Sequence, residues 1–312
     1  MGILPPMIDV ALVGTGGMMP LPGRFLSSMI ARIDGRMFLF DCGEGTQVSL
    51  RMLGWGFKQI DFVCFTHYHG DHCSGLPGLL LTMANAERVE PLHLIGPTGL
   101  ERVVTSLCII AQDLPFEIIF HEWNAKEPHI YNEGMLQLGA LPLKHRAPCF
   151  GYTLALLRRG KFDPVAARAQ NIPLKLWGTL QKQSDAVIVY ENKTYTSDMV
   201  LGPPRQGLKL AFCTDTRPVA GLPAFVQGAD LFICEGLYGD PDKQAKAAAH
   251  MHMSFQEAAA IARDGQVKEL WLTHYSPAMP DPFNYVQHAA AIFPQVKAGK
   301  DRMTTTLKFQ DD

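Results

Sequence analysis

Thr66-His67-Tyr68-His69-Gly70-Asp71-His72 places three imidazoles and a carboxylate within six positions, directly behind the apolar run Phe62-Val63-Cys64-Phe65. Imidazole nitrogen and carboxylate oxygen suit zinc, and also manganese or iron, better than calcium or magnesium. A buried strand that ends in a sharp turn can aim alternate residues, His67 and His69, at one ion. Asp71 and His72, on the returning chain, can then face a second. Such a site needs partners from elsewhere, and three candidates stand in the same setting. His145 follows the strand-like Leu136–Leu143, Asp215 follows Leu208–Cys213, and His274 follows Trp271-Leu272-Thr273. Each leaves the end of an apolar strand, so all could converge on one cleft at a sheet edge.

The rest of the sequence supplies the strands and helices such a cleft requires. Ile8–Gly14 reads as a strand, and Met29–Ile33 with Met37–Phe40 as a hairpin around Asp34-Gly35. Gly45–Leu53 and Leu76–Ala86 read as helices on either side of the strand Phe62–Phe65. The middle, Phe116–Leu156, is strand-rich. The last third alternates strands at Lys209–Cys213, Leu231–Cys234 and Glu269–Thr273 with helices at Ser254–Arg263 and Asn284–Phe293. One stretch breaks the rhythm: Arg158 to Lys182 holds six basic residues and one acidic, with a helix-like Pro164–Gln170 inside it. It reads as an arm or insertion, at about 158–200, on a single α/β domain.

Composition narrows the function classes. The 312 residues are 47% hydrophobic and 19% charged with a net charge of −2, which is enzyme-like globular material. That balance excludes a wholly basic nucleic-acid binder but leaves room for a local basic patch. No apolar run reaches the roughly 18–20 residues that span a bilayer. The first residues, Met1-Gly2-Ile3-Leu4-Pro5-Pro6, have no basic region or long apolar core of a signal peptide. Seven scattered cysteines without a CxxC pair point to a reduced, cytoplasmic protein.

His67-x-His69-x-Asp71-His72 followed by His145, Asp215 and His274 resembles the full ligand set of the metallo-β-lactamase superfamily. Further strings narrow the likeness to short-form ribonuclease Z, the tRNA 3′ endonuclease. They are Gly14-Thr15-Gly16-Gly17, Asp41-Cys42-Gly43-Glu44-Gly45-Thr46-Gln47, Gly75-Leu76-Pro77-Gly78-Leu79, Gly151-Tyr152 and Asp215-Thr216-Arg217. The resemblance implies an αββα sandwich of two mixed β-sheets with outer helices. It implies two Zn2+ ions, with Mn2+ or Fe2+ as alternatives. One would be held by His67, His69 and His145, the other by Asp71, His72 and His274, with Asp215 between them. A two-ion site can polarise a phosphoryl group and bring an attacking water towards neutral pKa. The family assigns Asp71 the water's proton. Asp41 is expected to orient a ligand imidazole through its other nitrogen.

The chain departs from that family in two places. Where ribonuclease Z carries His-Glu-Ala-Thr and His-Ser-Thr elements, this sequence has Cys234-Glu235-Gly236-Leu237 and His252-Met253-Ser254. Glu235 and His252 remain, so a Glu-oriented His252 is expected to protonate the leaving oxygen, in preference to nearby His250. Ser254 with Glu257 also reads as a helix capping box. In the arm, Asn171-Ile172-Pro173 matches the family, but Lys175-Leu176 stands where a Gly-Pro pair is expected. The resemblance implies that this arm contacts precursor tRNA and, in a homodimer, serves the partner's active site.

Other chemistries fit less well. Gly14-x-Gly16-Gly17 lacks the third glycine of a dinucleotide fingerprint and is expected to bring backbone close to the metal cleft. No Gly-x-Ser-x-Gly elbow or Walker sequence occurs. A thiol-ligand β-lactamase would carry Cys at position 215, and a flavo-diiron enzyme a carboxylate at 69. Seven ligands exceed what a structural staple needs. The leading expectation is an endonuclease that removes the 3′ trailer of precursor tRNA. The alternative is a same-fold hydrolase of a small phosphodiester, such as a cyclic nucleotide, or of another small ester.

Overall fold

A computed structural model of the chain describes residues 7–183 and 186–310, with two seven-stranded sheets at its centre. The first sheet contains β1 (Ile8–Gly14), β2 (Ser28–Ile33), β3 (Arg36–Phe40), β4 (Ile60–Cys64), β5 (Leu92–Pro97) and β6 (Ile118–Trp123). The second contains β7 (His129–Glu133), β8 (Leu136–Pro142) and β9 (Phe150–Arg158). It continues through β12 (Arg205–Cys213), β13 (Leu231–Glu235), β14 (Leu270–Thr273) and β15 (Val296–Ala298). Between β9 and β12 in the chain, β10 (Val187–Tyr190) and β11 (Lys193–Thr196) pair as a separate hairpin, and β16 (Thr304–Leu307) closes the first sheet beside β1. Each sheet is half antiparallel and half parallel: β3 to β6 run parallel in the first, β12 to β15 in the second.

Helices cover both outer faces. On the first sheet lie α1 (Thr46–Leu53), α2 (Gly70–Cys73), α3 (Leu76–Asn85) and α4 (Leu100–Leu107). After α5 (Pro164–Ala169) and α6 (Leu174–Lys182), the second sheet is covered by α7 (Leu222–Val226), α9 (Phe255–Asp264) and α10 (Val286–Ala290), with α8 (Gln244–His250) beside them. The architecture is the αββα sandwich of the α/β class. The layering explains why Phe62, Val63 and Cys64 of β4 are all apolar and buried, with only Asp61 near its start left partly exposed. Phe62 and Cys64 face the inter-sheet core with Phe38, Phe40, Phe150, Tyr152, Phe212 and Trp271, while Val63 faces the helices with Leu79, Leu80 and Met83. A strand buried on both sides has no face left for polar residues.

The expected strands and helices are present, with boundary shifts. Asn284–Phe293, read as one helix, is a 3-10 turn over Pro282–Tyr285 followed by α10, because Asp281 caps the turn and Pro282 opens it. The stretch 160–203 leaves β9 at Arg158 and rejoins β12 at Arg205, its pairing partner. It holds a second helix, α6, and the β10–β11 hairpin, which the charge pattern concealed. Ala167, Ile172, Leu176, Leu180, Tyr195 and Val200 pack together there as a small core of their own. Among the described residues no helix is long and apolar enough to cross a membrane.

Candidate metal centre

Strand direction gathers the chemistry at one edge. β1, β3 and β4 run the same way in the first sheet, and β8, β12, β13 and β14 do so in the second, so each delivers its next loop to one rim. Those loops carry Gly14–Gly17, Asp41, His67–His72, His145, Asp215, Glu235 and His274. Three of these residues, Asp41, Asp215 and His274, take left-handed backbone with φ of 57°, 38° and 57°. A side chain there costs about 1–3 kcal/mol, which the surrounding sheet ends must hold in place.

The side chains converge as two cages. His67 Nε2 lies 2.9 Å from His69 Nδ1, which lies 3.3 Å from His145 Nε2. Asp215 Oδ2 sits 3.7 Å from His67 Nε2 and 3.6 Å from His145 Nε2. The other carboxylate oxygen, Oδ1, lies 3.2 Å from His72 Nε2 and 3.1 Å from His274 Nε2. Asp71 Oδ2 completes this second group at 3.6 Å and 3.3 Å from the same two nitrogens. Donors bound tetrahedrally at about 2.0–2.1 Å lie roughly 3.3–3.4 Å apart, so both cages have the span of a transition-metal ion. Hydrogen bonds alone do not account for this packing: Asp215 Oδ1 is buried without a hydrogen-bond partner. The donor set fits divalent metal in both places.

Protonation agrees with that fit. Burial, together with the neighbouring His72, holds His67 well below the usual imidazole range, and burial likewise lowers His145, which favours the neutral form a metal ligand needs. Burial works against an ionised Asp71, but a hydrogen bond from His274 and the charge of His72 keep it well below the usual carboxylate range. His252 behaves differently. Its Nδ1 lies 3.1 Å from Glu235 Oε2, and although burial opposes charge, Glu235 raises its pKa to about 9. With its Nδ1 engaged by Glu235, His252 lies beside the two cages, 3.8 Å from Asp215 Oδ2. Glu235 is fully buried and accepts the Thr216 N–H at 2.6 Å through its other oxygen. His250, by contrast, is exposed and contacts the Tyr238 hydroxyl at 3.2 Å.

Family comparisons decide what this rim belongs to. Residues 8–112 match the family model described as anti-Pycsar protein Apyc1, and residues 179–275 that of the beta-lactamase superfamily domain. Ribonuclease Z of Lachnoclostridium phytofermentans is 51% identical over 304 residues, covering 97% of this chain and 99% of that protein. The chain belongs to the ribonuclease Z family. Its relative from Clostridium acetobutylicum, also named ribonuclease Z, is 46% identical over 311 residues, covering 98% of this chain and all of that protein. The crystal structure of human tRNase Z, short form, superimposes with a TM-score of 0.70 at 25% identity, covering 96% of this chain and 100% of that one. As a ribonuclease Z family member, the chain is a metal-dependent hydrolase, an endoribonuclease.

Around the ribonuclease Z cages lie contacts that sequence patterns did not single out. The Met18 N–H donates to Asp71 Oδ2 at 2.7 Å, which explains why the glycine-rich turn after β1 sits against the cleft. Asp301 holds that turn from 286 residues away, accepting the Thr15 hydroxyl and the Phe25 N–H, each at 2.7 Å. Arg217 grips the His252 carbonyl at 2.5 Å and pairs with Glu257, the residue that also caps α9 with Ser254. Tyr152 donates to the Phe65 carbonyl at 2.7 Å, just before the metal-binding turn. Only the spacing of a fold reveals such partners, since each is remote in sequence.

Gly17 gives a sharp test of the packing. A Cβ there would lie 2.7 Å from His274 Cε1, so Gly17→Ala must displace the ring. Sub-ångström misplacement of a catalytic group costs about 10–100-fold in rate. Turnover of bis(p-nitrophenyl) phosphate by Gly17→Ala should fall in that range while the metal-free protein unfolds at the wild-type temperature. Wild-type turnover would mean that His274 does not need its present position.

Proposed function

We propose that this chain removes the 3′ trailer of precursor tRNA by endonucleolytic hydrolysis at a dinuclear centre. His67, His69 and His145 would hold one ion, Asp71, His72 and His274 the other, with Asp215 facing both sets. Zn2+ matches the donor set, with Mn2+ or Fe2+ tolerated by the same nitrogens and oxygens. The observation that carries this reading is one carboxylate, Asp215, whose two oxygens face two separate imidazole groups. Bound there, the ions would polarise the phosphoryl group and bring the attacking water to near-neutral pKa.

The chain's own residues supply the rest. Asp71, kept ionised and fixed by the Met18 N–H, accepts the water's proton. His252, its Nδ1–H committed to Glu235, presents the opposite nitrogen as general acid to the leaving ribose oxygen. His69 is exposed while His67 and His72 are buried, so a phosphodiester reaches the cages from the His69 side.

Substrate choice belongs to the arm, about 158–200, on a hydrolase unit spanning 1–312. The cations of Arg158–Lys182 suit phosphate contact along RNA. Val48 and Met52, one turn apart on α1, are exposed, as are Met18 and Met19 beside the cleft, which favours a homodimer. In that dimer the arm of one subunit holds tRNA for the partner's active site. A reduced, cytoplasmic setting suits the seven free cysteines, all buried.

A labelled precursor tRNA, incubated beside a panel of cyclic nucleotides, tests the proposal. One cut at the trailer boundary is expected, with no turnover of the cyclic nucleotides; the reverse pattern would move the chain to small diesters. Replacing residues 160–203 by a short Gly-Ser linker should slow precursor cleavage at least about 100-fold, in keeping with the loss of several phosphate contacts. Bis(p-nitrophenyl) phosphate should be hydrolysed as before. Equal loss on both substrates would rule out an RNA-gripping arm.

A further inference from the structure

The ligand imidazoles need their outer nitrogens fixed, and both cages draw on one source. Asp41 Oδ2 accepts from His72 Nδ1 at 2.8 Å, which leaves His72 Nε2 for its cage. The same carboxylate is bound by Thr66: its N–H donates to Oδ1 at 2.8 Å and its hydroxyl lies 2.9 Å from Oδ2. Thr66 Oγ1 is also 3.1 Å from His67 Nδ1 and 3.3 Å from the Thr214 hydroxyl. Asp41, Thr66, His67, His72 and Thr214 are all without solvent exposure. Cys149 Sγ, at 4.0 Å, is a distant and weak competitor for His67 Nδ1.

Counting protons sets the direction of every bond. His67 turns Nε2 to its cage, so Nδ1 carries the hydrogen. Asp41 is surrounded by the His72 Nδ1–H, the Thr66 N–H and the Thr66 hydroxyl, so it accepts from all three and the single Thr66 hydroxyl hydrogen points to it. Thr66 oxygen then receives from His67 Nδ1–H and from Thr214. We propose that Thr66 is a positioning residue whose hydroxyl relays the Asp41 carboxylate to His67, so that one buried carboxylate sets the tautomers of a ligand in each cage. Direct contact serves His72, and the relay serves His67. The inference rests on the ligand reading proposed above.

The relay separates the two cages experimentally. Metal-free wild-type protein should take up two equivalents of Zn2+. Thr66→Val, nearly isosteric, should leave one equivalent as in wild type and weaken the other about 10–100-fold, the usual cost of losing such a partner. Thr66→Ser should restore both equivalents to within about threefold, and Asp41→Asn should weaken both. In zinc-loaded protein with 15N-labelled histidine, His67 and His72 should each show a slowly exchanging Nδ1–H, and Thr66→Val should lose only that of His67.

Unchanged zinc binding in Thr66→Val, equal weakening of both equivalents, or failure of Thr66→Ser to restore binding would each overturn the relay. Should Thr66→Val not fold, the wild-type spectrum decides alone. A His67 Nδ1 without a proton, or one exchanging as fast as exposed His69, overturns the proposal. Wild-type uptake of fewer than two equivalents instead overturns the dinuclear reading itself.

Discussion

Asp215→Ala protein takes up little or no zinc and loses hydrolysis of bis(p-nitrophenyl) phosphate by about 10³–10⁴-fold, the several kcal/mol that a two-ion site contributes to the transition state. The reason is geometric. One carboxylate supplies a donor to each cage, so its removal damages both at once, whereas His67→Ala removes one donor from one cage. Among the described residues, Asp215 is also the only carboxylate in contact with both groups, at 3.1–3.7 Å from four imidazoles. Without it, a positive charge between His67 and His145 loses its neighbouring carboxylate, while His72 and His274 keep that of Asp71. Thermal unfolding supplies a second readout. Wild-type protein at 1,000 times its zinc dissociation constant should gain about 4 kcal/mol per bound ion over metal-free protein, and that gain should vanish in Asp215→Ala. Turnover within tenfold of wild type, with the fold intact by circular dichroism, would sink the bridging role.

His252→Ala should cost about 10²–10⁴-fold on a diester with an alkoxide leaving group, the ordinary range for general-acid catalysis. Its cost on bis(p-nitrophenyl) phosphate should be small, because p-nitrophenolate departs without a proton. The alkaline limb of the pH profile carries the same information. His252 is raised to about 9 by Glu235, so the acid form predominates at neutral pH and is lost as pH climbs through about 9. With a poor leaving group the rate should fall in that window; with p-nitrophenolate it should not. Glu235→Gln removes the charge that raises His252, so the limb should move to lower pH. Equal slowing of both substrates by His252→Ala would assign the residue a structural task instead.

Much of this centre was readable because metal ligands obey local rules. His67, His69, Asp71 and His72 stand within one turn, and His145, Asp215 and His274 each follow a run of apolar residues that could only be a buried strand. The sandwich came from the family resemblance, with the order of apolar strands and helical patterns consistent with it. Asp41 was legible as a support for an imidazole, but its reach to His67 was not, because nothing in sequence ties position 41 to position 66. Arg217 with Glu257, and Thr15 with Asp301, are separated by 40 and 286 residues and leave no periodic trace. In the stretch 160–203 the positive charge drew attention from Leu176 and Leu180, whose helical spacing buries them in a small local core.

The distribution of ligands along the chain has a consequence for biosynthesis. His67 and His274 are 207 positions apart, and the shared carboxylate at Asp215 contacts both groups. A ribosome-bound chain that has not yet released β14 lacks one imidazole of the second cage, and a chain short of β12 lacks the bridge. Because metal affinity and folding are linked, such fragments would hold a metal ion only weakly. On the proposed ligand assignment, nuclease activity would begin only when nearly all of the sandwich has closed.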